Sequence, residues 1–148
     1  MLLSLFFLFV QDAKPANHDN YNQKKGLALQ GYDPVAYFDG QALKGQKDLS
    51  FDHAGLTYWF SSQQNLDRFK AEPEHFEPQY GGWCAYAMLE GDKVEIDPKK
   101  FKVVDGKLYL FYNGLWGDTL KKWNEMLAKT PENELIQKAN GVWAKINP

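Results

Sequence analysis

One cysteine, one arginine and three histidines are all that 148 residues supply of three side-chain types on which many sites depend. The single thiol, Cys84, excludes an internal disulfide. Arg68 is the lone arginine, and phosphate or carboxylate sites favour the bidentate fork of that side chain, so a large anionic substrate is disfavoured. The formal net charge of -2 argues against a nucleic-acid partner. No internal repeat is visible, and no lysine or nucleotide pattern accompanies the Gly81-Gly82 pair. No paired carboxylates fall in a pattern that supports acid–base catalysis. The apolar run Leu2 to Val10 is too short to span a bilayer, and no cysteine follows it, which excludes a bacterial lipoprotein anchor. No stable membrane anchor is expected.

What is present is apolar and aromatic. Hydrophobic residues make up 44% and aromatics 16% of the chain, enough for one domain with a real core. The Leu2 to Val10 run resembles the apolar region of a secretory signal, but no basic residues precede it, so the start is read as truncated. Ala13 or Ala16 lies near the expected cleavage point. Asp12 to Lys25 is polar, carries Pro15 and several asparagines, and reads as a linker. The chain therefore divides into a signal-like segment and linker over 1–25 and a single domain over 26–148. The expected destination is the periplasm or the exterior.

Within the domain, Asp33-Pro34 suggests a turn and Val35 to Phe38 a short strand. Leu49 to His53 and Leu56 to Ser61 read as a hairpin around Ala54-Gly55, with Tyr58 and Phe60 on one face and Thr57 and Trp59 on the other. Ser62 is a credible N-cap for a helix carrying Leu66 and Phe69 that stops before Pro73. Pro73 to Tyr80 reads as a loop or short turn. Gly82 to Leu89 reads as a buried helix or a strand, since short apolar runs are ambiguous. Phe101 to Val104 and Leu108 to Tyr112 form the clearest hairpin, around Asp105-Gly106. Leu115 to Lys129 predicts a helix with Trp116, Leu120, Trp123 and Leu127 on one stripe. Thr130-Pro131-Glu132 predicts a new helix start, with Leu135, Ala139, Val142 and Ile146 on its apolar face. The fold class is α+β: a small antiparallel sheet of hairpins covered by helices, ending in a helical pair.

These motifs have a combined resemblance. Gly31-Tyr32-Asp33-Pro34-Val35-Ala36-Tyr37-Phe38 is followed by Gly55, Tyr58-Trp59-Phe60-Ser61-Ser62, Asn65, Phe69 and Pro73. Pro78-Gln79-Tyr80-Gly81-Gly82, Cys84-Ala85, Asp97-Pro98 and Asp105-Gly106-Lys107-Leu108-Tyr109-Leu110 complete the set. From Gly31 to Asn113 the chain resembles the YHS domain family in its exported bacterial variant, and the tail with Trp123 and Trp143 is similar too. The resemblance implies a metal-handling module. Short members show a pattern similar to Phe-Cys-Ser-x-x-Cys-x-x-x-Phe. Here Ser61 and Asn65 stand at the two cysteine positions, while Ser62 and Phe69 keep the pattern, so that metal site is not carried over.

The site candidates then centre on Cys84. It is read three ways: a small hydrophobe in the core, a soft-metal ligand, or a reactive thiol. Met88 lies four residues on and is a soft donor suited to Cu(I) on the same helix face. His75 is the third candidate ligand and also the conceivable base for a Cys84 nucleophile, though no orienting third group is recognisable. His53 reads as a solvated turn residue. Asp33, Asp97 and Asp105, each beside proline or glycine, read as turn formers. The aromatics, Tyr32, Tyr37, Tyr58, Tyr80, Trp83 and Tyr86 among them, read mostly as core, with Trp59 facing the opposite way. The leading expectation is an exported, non-enzymatic binding module for a metal ion or small ligand, copper first, with Cys84, Met88 and His75 as ligands. The alternatives are a structural or protein-interaction domain with Cys84 inert, and a thiol enzyme or redox protein using Cys84. The protein partner is left open.

Overall fold

The computed structural model describes residues 18–148. The signal-like run and most of the linker, residues 1–17, lie outside the described residues. Residues 18–25 are not a linker: Asn22 N donates to Gly81 O (2.8 Å), the Asn20 amide donates to Ile146 O (3.1 Å), and Tyr21 stacks on Trp143.

The first sheet grows from the expected hairpin. Strands β1 (Gln23–Lys24) and β2 (Leu27–Ala28) join β3 (Gln46–His53) and β4 (Leu56–Phe60) in the order β1-β2-β4-β3. The β3–β4 and β1–β2 pairs are antiparallel, and β2 runs parallel to β4. Ala54 and Gly55 both take positive φ (49° and 78°), the two-residue left-handed turn that matches strand twist. Leu56, Tyr58 and Phe60 are buried while Thr57 and Trp59 are half-buried, so the period-two reading of β4 holds. Helix α1 (Gln63–Ala71) begins where Ser62 Oγ accepts from Asn65 N (3.1 Å) and lays Leu66 and Phe69 on that face. The Phe69 ring sits 4.7 Å from Tyr58 and 5.2 Å from Phe60. Truncating a fully buried phenylalanine of this kind costs about 3–5 kcal/mol.

Strands β5 (Asp97–Val104) and β6 (Lys107–Phe111) form the second hairpin, turning at Asp105 and Gly106 (φ 51° and 73°). Leu108 through Phe111 are all buried. Leu108 and Leu110 enter the core of the first sheet, whereas Tyr109 and Phe111 enter a second core. A strand covered on both faces needs a continuous apolar run, which explains why β6 lacks polar alternation. Helix α4 (Thr119–Met126) brings Trp123 to the second core, and α5 (Glu132–Ile146) brings Leu135 and Ala139. The α+β class, with hairpins under helices and a C-terminal helical pair, is what the molecule shows.

Several local expectations give way. Val35 to Phe38 is not a strand: residues Ala36–Asp39 form a 3-10 turn, because Asp33 Oδ1 accepts from Val35 N (2.8 Å) and Ala36 N (3.2 Å) and curls the chain. Pro73 to Tyr80 contains a one-turn helix, α2 (Pro73–Phe76), and Gln79–Gly82 is a 3-10 turn. The Gly82 to Leu89 segment holds only one helical turn, α3 (Ala85–Met88). The helix expected from Leu115 starts four residues later. Strands β7 (Asn113–Gly114) and β8 (Gly117–Asp118) pair instead, leaving Leu115 98% and Trp116 78% exposed at the tip, and Asp118 caps α4 through Lys121 N. Pro131, not Thr130, occupies the cap of α5, in extended backbone and without a side-chain bond.

Candidate functional site

Cys84 is fully buried at a backbone bridge to Leu110. Its sulfur accepts from Tyr112 N (3.3 Å) and lies 3.4 Å from Thr119 Oγ1. The Thr119 hydroxyl donates to Tyr112 O (2.7 Å), so its one proton is committed and the thiol must donate to the threonine oxygen. A neutral thiol satisfies every group in this small network.

Met88 is also fully buried and its N–H donates to Cys84 O, but it belongs to the second core, whereas Cys84 belongs to the first. His75 is exposed on α2, its ring against Phe38 and Phe76. Among the described residues no group of three His, Cys, Asp or Glu side chains could hold a metal ion. The three expected copper ligands are distributed over two cores and a surface. His53 is not a solvated turn residue either. It ends β3 with 24% of its side chain exposed, and its Nε2 lies 3.6 Å from Glu77 and 3.8 Å from Glu74.

The two positions that would carry cysteines in the short pattern do meet. Ser61 Oγ donates to Asp33 Oδ2 (2.6 Å), Asn65 Nδ2 donates to the same oxygen (2.8 Å), and Ser61 N adds a third bond (2.8 Å). With the two bonds to Oδ1, the fully buried Asp33 carboxylate accepts five hydrogen bonds. It ties the loop between β2 and β3 to the start of α1. The Asp33 carboxylate thus holds the Ser61 and Asn65 side chains together. Asp33 does more than form a turn, and the Asp-Pro dipeptide was its only signal in the sequence.

A cleft of about 290 Å³ opens beside this core. Its floor is the run Tyr80, Gly81, Gly82, three successive residues in the left-handed region (φ 59°, 59° and 85°). A Cβ at Gly81 would lie 2.6 Å from the Tyr21 ring and 3.0 Å from that of Trp143, so glycine is needed for close approach as well as for φ. Tyr80, without glycine's freedom, is held in its strained conformation by burial and by its hydroxyl bond to Asn140 (2.9 Å). Tyr58, Glu74 and Glu77 form the opposite wall. Burial pushes the Glu77 carboxyl above its ordinary value, with His53 opposing and Glu74 adding. Burial and the Glu77 charge likewise raise the Tyr58 hydroxyl. A larger hollow of about 680 Å³ lies over Trp59, but among its walls Lys24, Lys25 and Lys47 are long exposed side chains that fix no geometry.

Residues 33–80 match the family model of the YHS domain. The YHS match spans about a third of the chain, from the Asp33 node to the first left-handed residue of the cleft floor. It contains Ser61, Asn65, His75 and Glu77, while Cys84 and Met88 lie beyond it. No curated protein and no solved structure matches the chain. Glu77 and Tyr21 escaped the sequence reading: neither sits in a patterned motif, and Tyr21 falls in a stretch whose composition reads as linker.

Proposed function

We propose that this protein is an exported, non-enzymatic YHS-type binding module whose ligand site is the cleft over Tyr80-Gly81-Gly82. One observation carries the reading: strained backbone, aromatic rings and a poorly partnered carboxylate converge on a preformed hollow, the pattern of a small-ligand site. The absence of catalysis is supported by Cys84, whose sulfur is sealed from solvent and hydrogen-bonded to Thr119 and Tyr112 instead of to a base. Export rests on the signal-like Leu2 to Val10 run.

A second reading has one specific support. Cys84 and Met88 are two buried soft donors joined through the Met88 N–H to Cys84 O bond, and the Tyr112 N–H already points at the thiol sulfur. Cu(I) there would require the Thr119 contact to open and both cores to loosen. A Cu(I) titration against a competing chelator, run on the parent and on Cys84→Ser, separates the two. Cu(I) binding that is equal in both proteins, together with ligand-dependent shifts of the Trp143 indole signal in a small-molecule screen by NMR, supports the cleft. Tight stoichiometric Cu(I) binding lost in Cys84→Ser replaces this reading with a copper module.

A further inference from the structure

Resting on the cleft as the binding site, we infer that its ligand is a small organic cation, an alkylated or protonated amine seated between the Glu77 carboxylate and the Tyr21 and Trp143 rings. Charge is the first argument. Glu74 and Glu77 line the cleft, and no lysine, arginine or histidine does. An anion entering it would meet two carboxylates; Glu74 is solvated, but a neutral ligand would leave the sheltered Glu77 with only its long Tyr58 and His53 contacts.

The second argument is the state of Glu77. Its side chain is only 26% exposed. Its nearest partners among the described residues are the Tyr58 hydroxyl at 3.4 Å and His53 Nε2 at 3.6 Å, at or beyond the edge of hydrogen-bond range, and none of the described backbone N–H groups reaches it. The same protein supplies five donors to Asp33, so these two sheltered carboxylates are treated very differently. A carboxylate withdrawn from water and left nearly without donors is stabilised by a cation that comes to it. Burial raises its proton affinity, and the nearby His53 opposes that shift without cancelling it.

The rings supply the third argument. Tyr21 and Trp143 stack with centroids 6.1 Å apart and planes 27° from parallel, and both border the cleft. Aromatic faces attract cations, and most strongly where water is excluded. A bare metal ion does not suit the site: His53, Glu74 and Glu77 are neighbours, yet they do not make a metal-holding group. The volume of about 290 Å³ sits at the small end of ligand pockets, which fits an amine of a few carbons and not a peptide.

The test is a titration of the full domain with choline, and with its neutral isostere in which carbon replaces the quaternary nitrogen, read at the Trp143 indole signal. Choline is expected to bind roughly tenfold tighter than the isostere. Glu77→Gln is expected to remove that preference while leaving isostere binding unchanged, and Tyr21→Leu is expected to weaken choline several-fold. Equal binding of the two probes, or a choline affinity untouched by Glu77→Gln, overturns the cation inference and leaves the cleft as a ligand site. If neither probe moves the Trp143 signal at millimolar concentration, the inference and the cleft reading fall together.

Discussion

Replacing Asp33 removes the acceptor of five hydrogen bonds at a position with no solvent access. In Asp33→Ala the side chains of Ser61 and Asn65 can turn to water, because both are only half-buried. The N–H groups of Val35 and Ala36 cannot, since those residues are 0% and 2% exposed. Two stranded buried donors cost about 1–3 kcal/mol each, and the lost bonds to a charged acceptor add to this, so the loss should be on the order of 4–5 kcal/mol. Asp33→Asn keeps the shape but must present its NH₂ either to Val35 and Ala36 or to Ser61 and Asn65. At least two donors then face a donor, for a loss of about 2–4 kcal/mol. Ser61→Ala removes one bond and leaves four, so about 1–2 kcal/mol is expected. Urea unfolding, with the m-value checked for constancy, measures all three. An Asp33→Asn protein within about 0.5 kcal/mol of the parent would refute the reasoning, because a saturated buried carboxylate cannot lose its acceptors so cheaply.

Three further outcomes are expected. Cys84 should resist alkylation in the native protein and react at full rate only in denaturant; rapid native labelling would show that the buried thiol is reached by local opening. Glu132 lies under opposing influences: burial raises its carboxyl, but hydrogen bonds from Lys102 and Trp123 outweigh it and hold the group below its ordinary 4.5. A lowered folded value means that its contribution is present above pH 4.5 and is lost as pH falls through the lower folded value, so melting temperature should drop with acid in that window, and Lys102→Met should flatten the drop. Leu115 and Trp116 touch little at their exposed hairpin tip, so replacing both with serine should change unfolding free energy by less than about 0.5 kcal/mol, whereas Trp123→Ala in the second core should cost about 3–5 kcal/mol, both read by urea unfolding.

The elements that could be read in advance share one property: their determinants are local. Ala54-Gly55 and Asp105-Gly106 specify tight turns through backbone preference, and Ser62 specifies a helix start through its own hydroxyl. The elements misread were decided by partners distant in sequence. Val35 to Phe38 has strand composition but is curled by Asp33, whose other oxygen is fixed by Ser61 and Asn65 about thirty positions on. Trp116 fits the helical stripe, yet β7 and β8 pair with each other and leave it at the surface. Cys84 and Met88 have helical spacing, yet Cys84 sits at the cap with non-helical backbone, so the two sulfurs enter different cores.

The sequence by itself determined the α+β class, the two hairpins and the start of α1, because turn chemistry and hydrophobic period act within a few residues. It also marked Ser61 and Asn65 as departures from a metal-binding pattern. Only the tertiary structure decided what Ser61 and Asn65 meet and where the proposed cleft opens. Asp33 meets Ser61 and Asn65, and Glu77 meets Tyr58 and lines the cleft that Tyr21 and Trp143 border, through contacts between residues distant in sequence. Burial with few donors, which sets Glu77 apart from Asp33, is a property of packed surroundings, and no local run of residues encodes it.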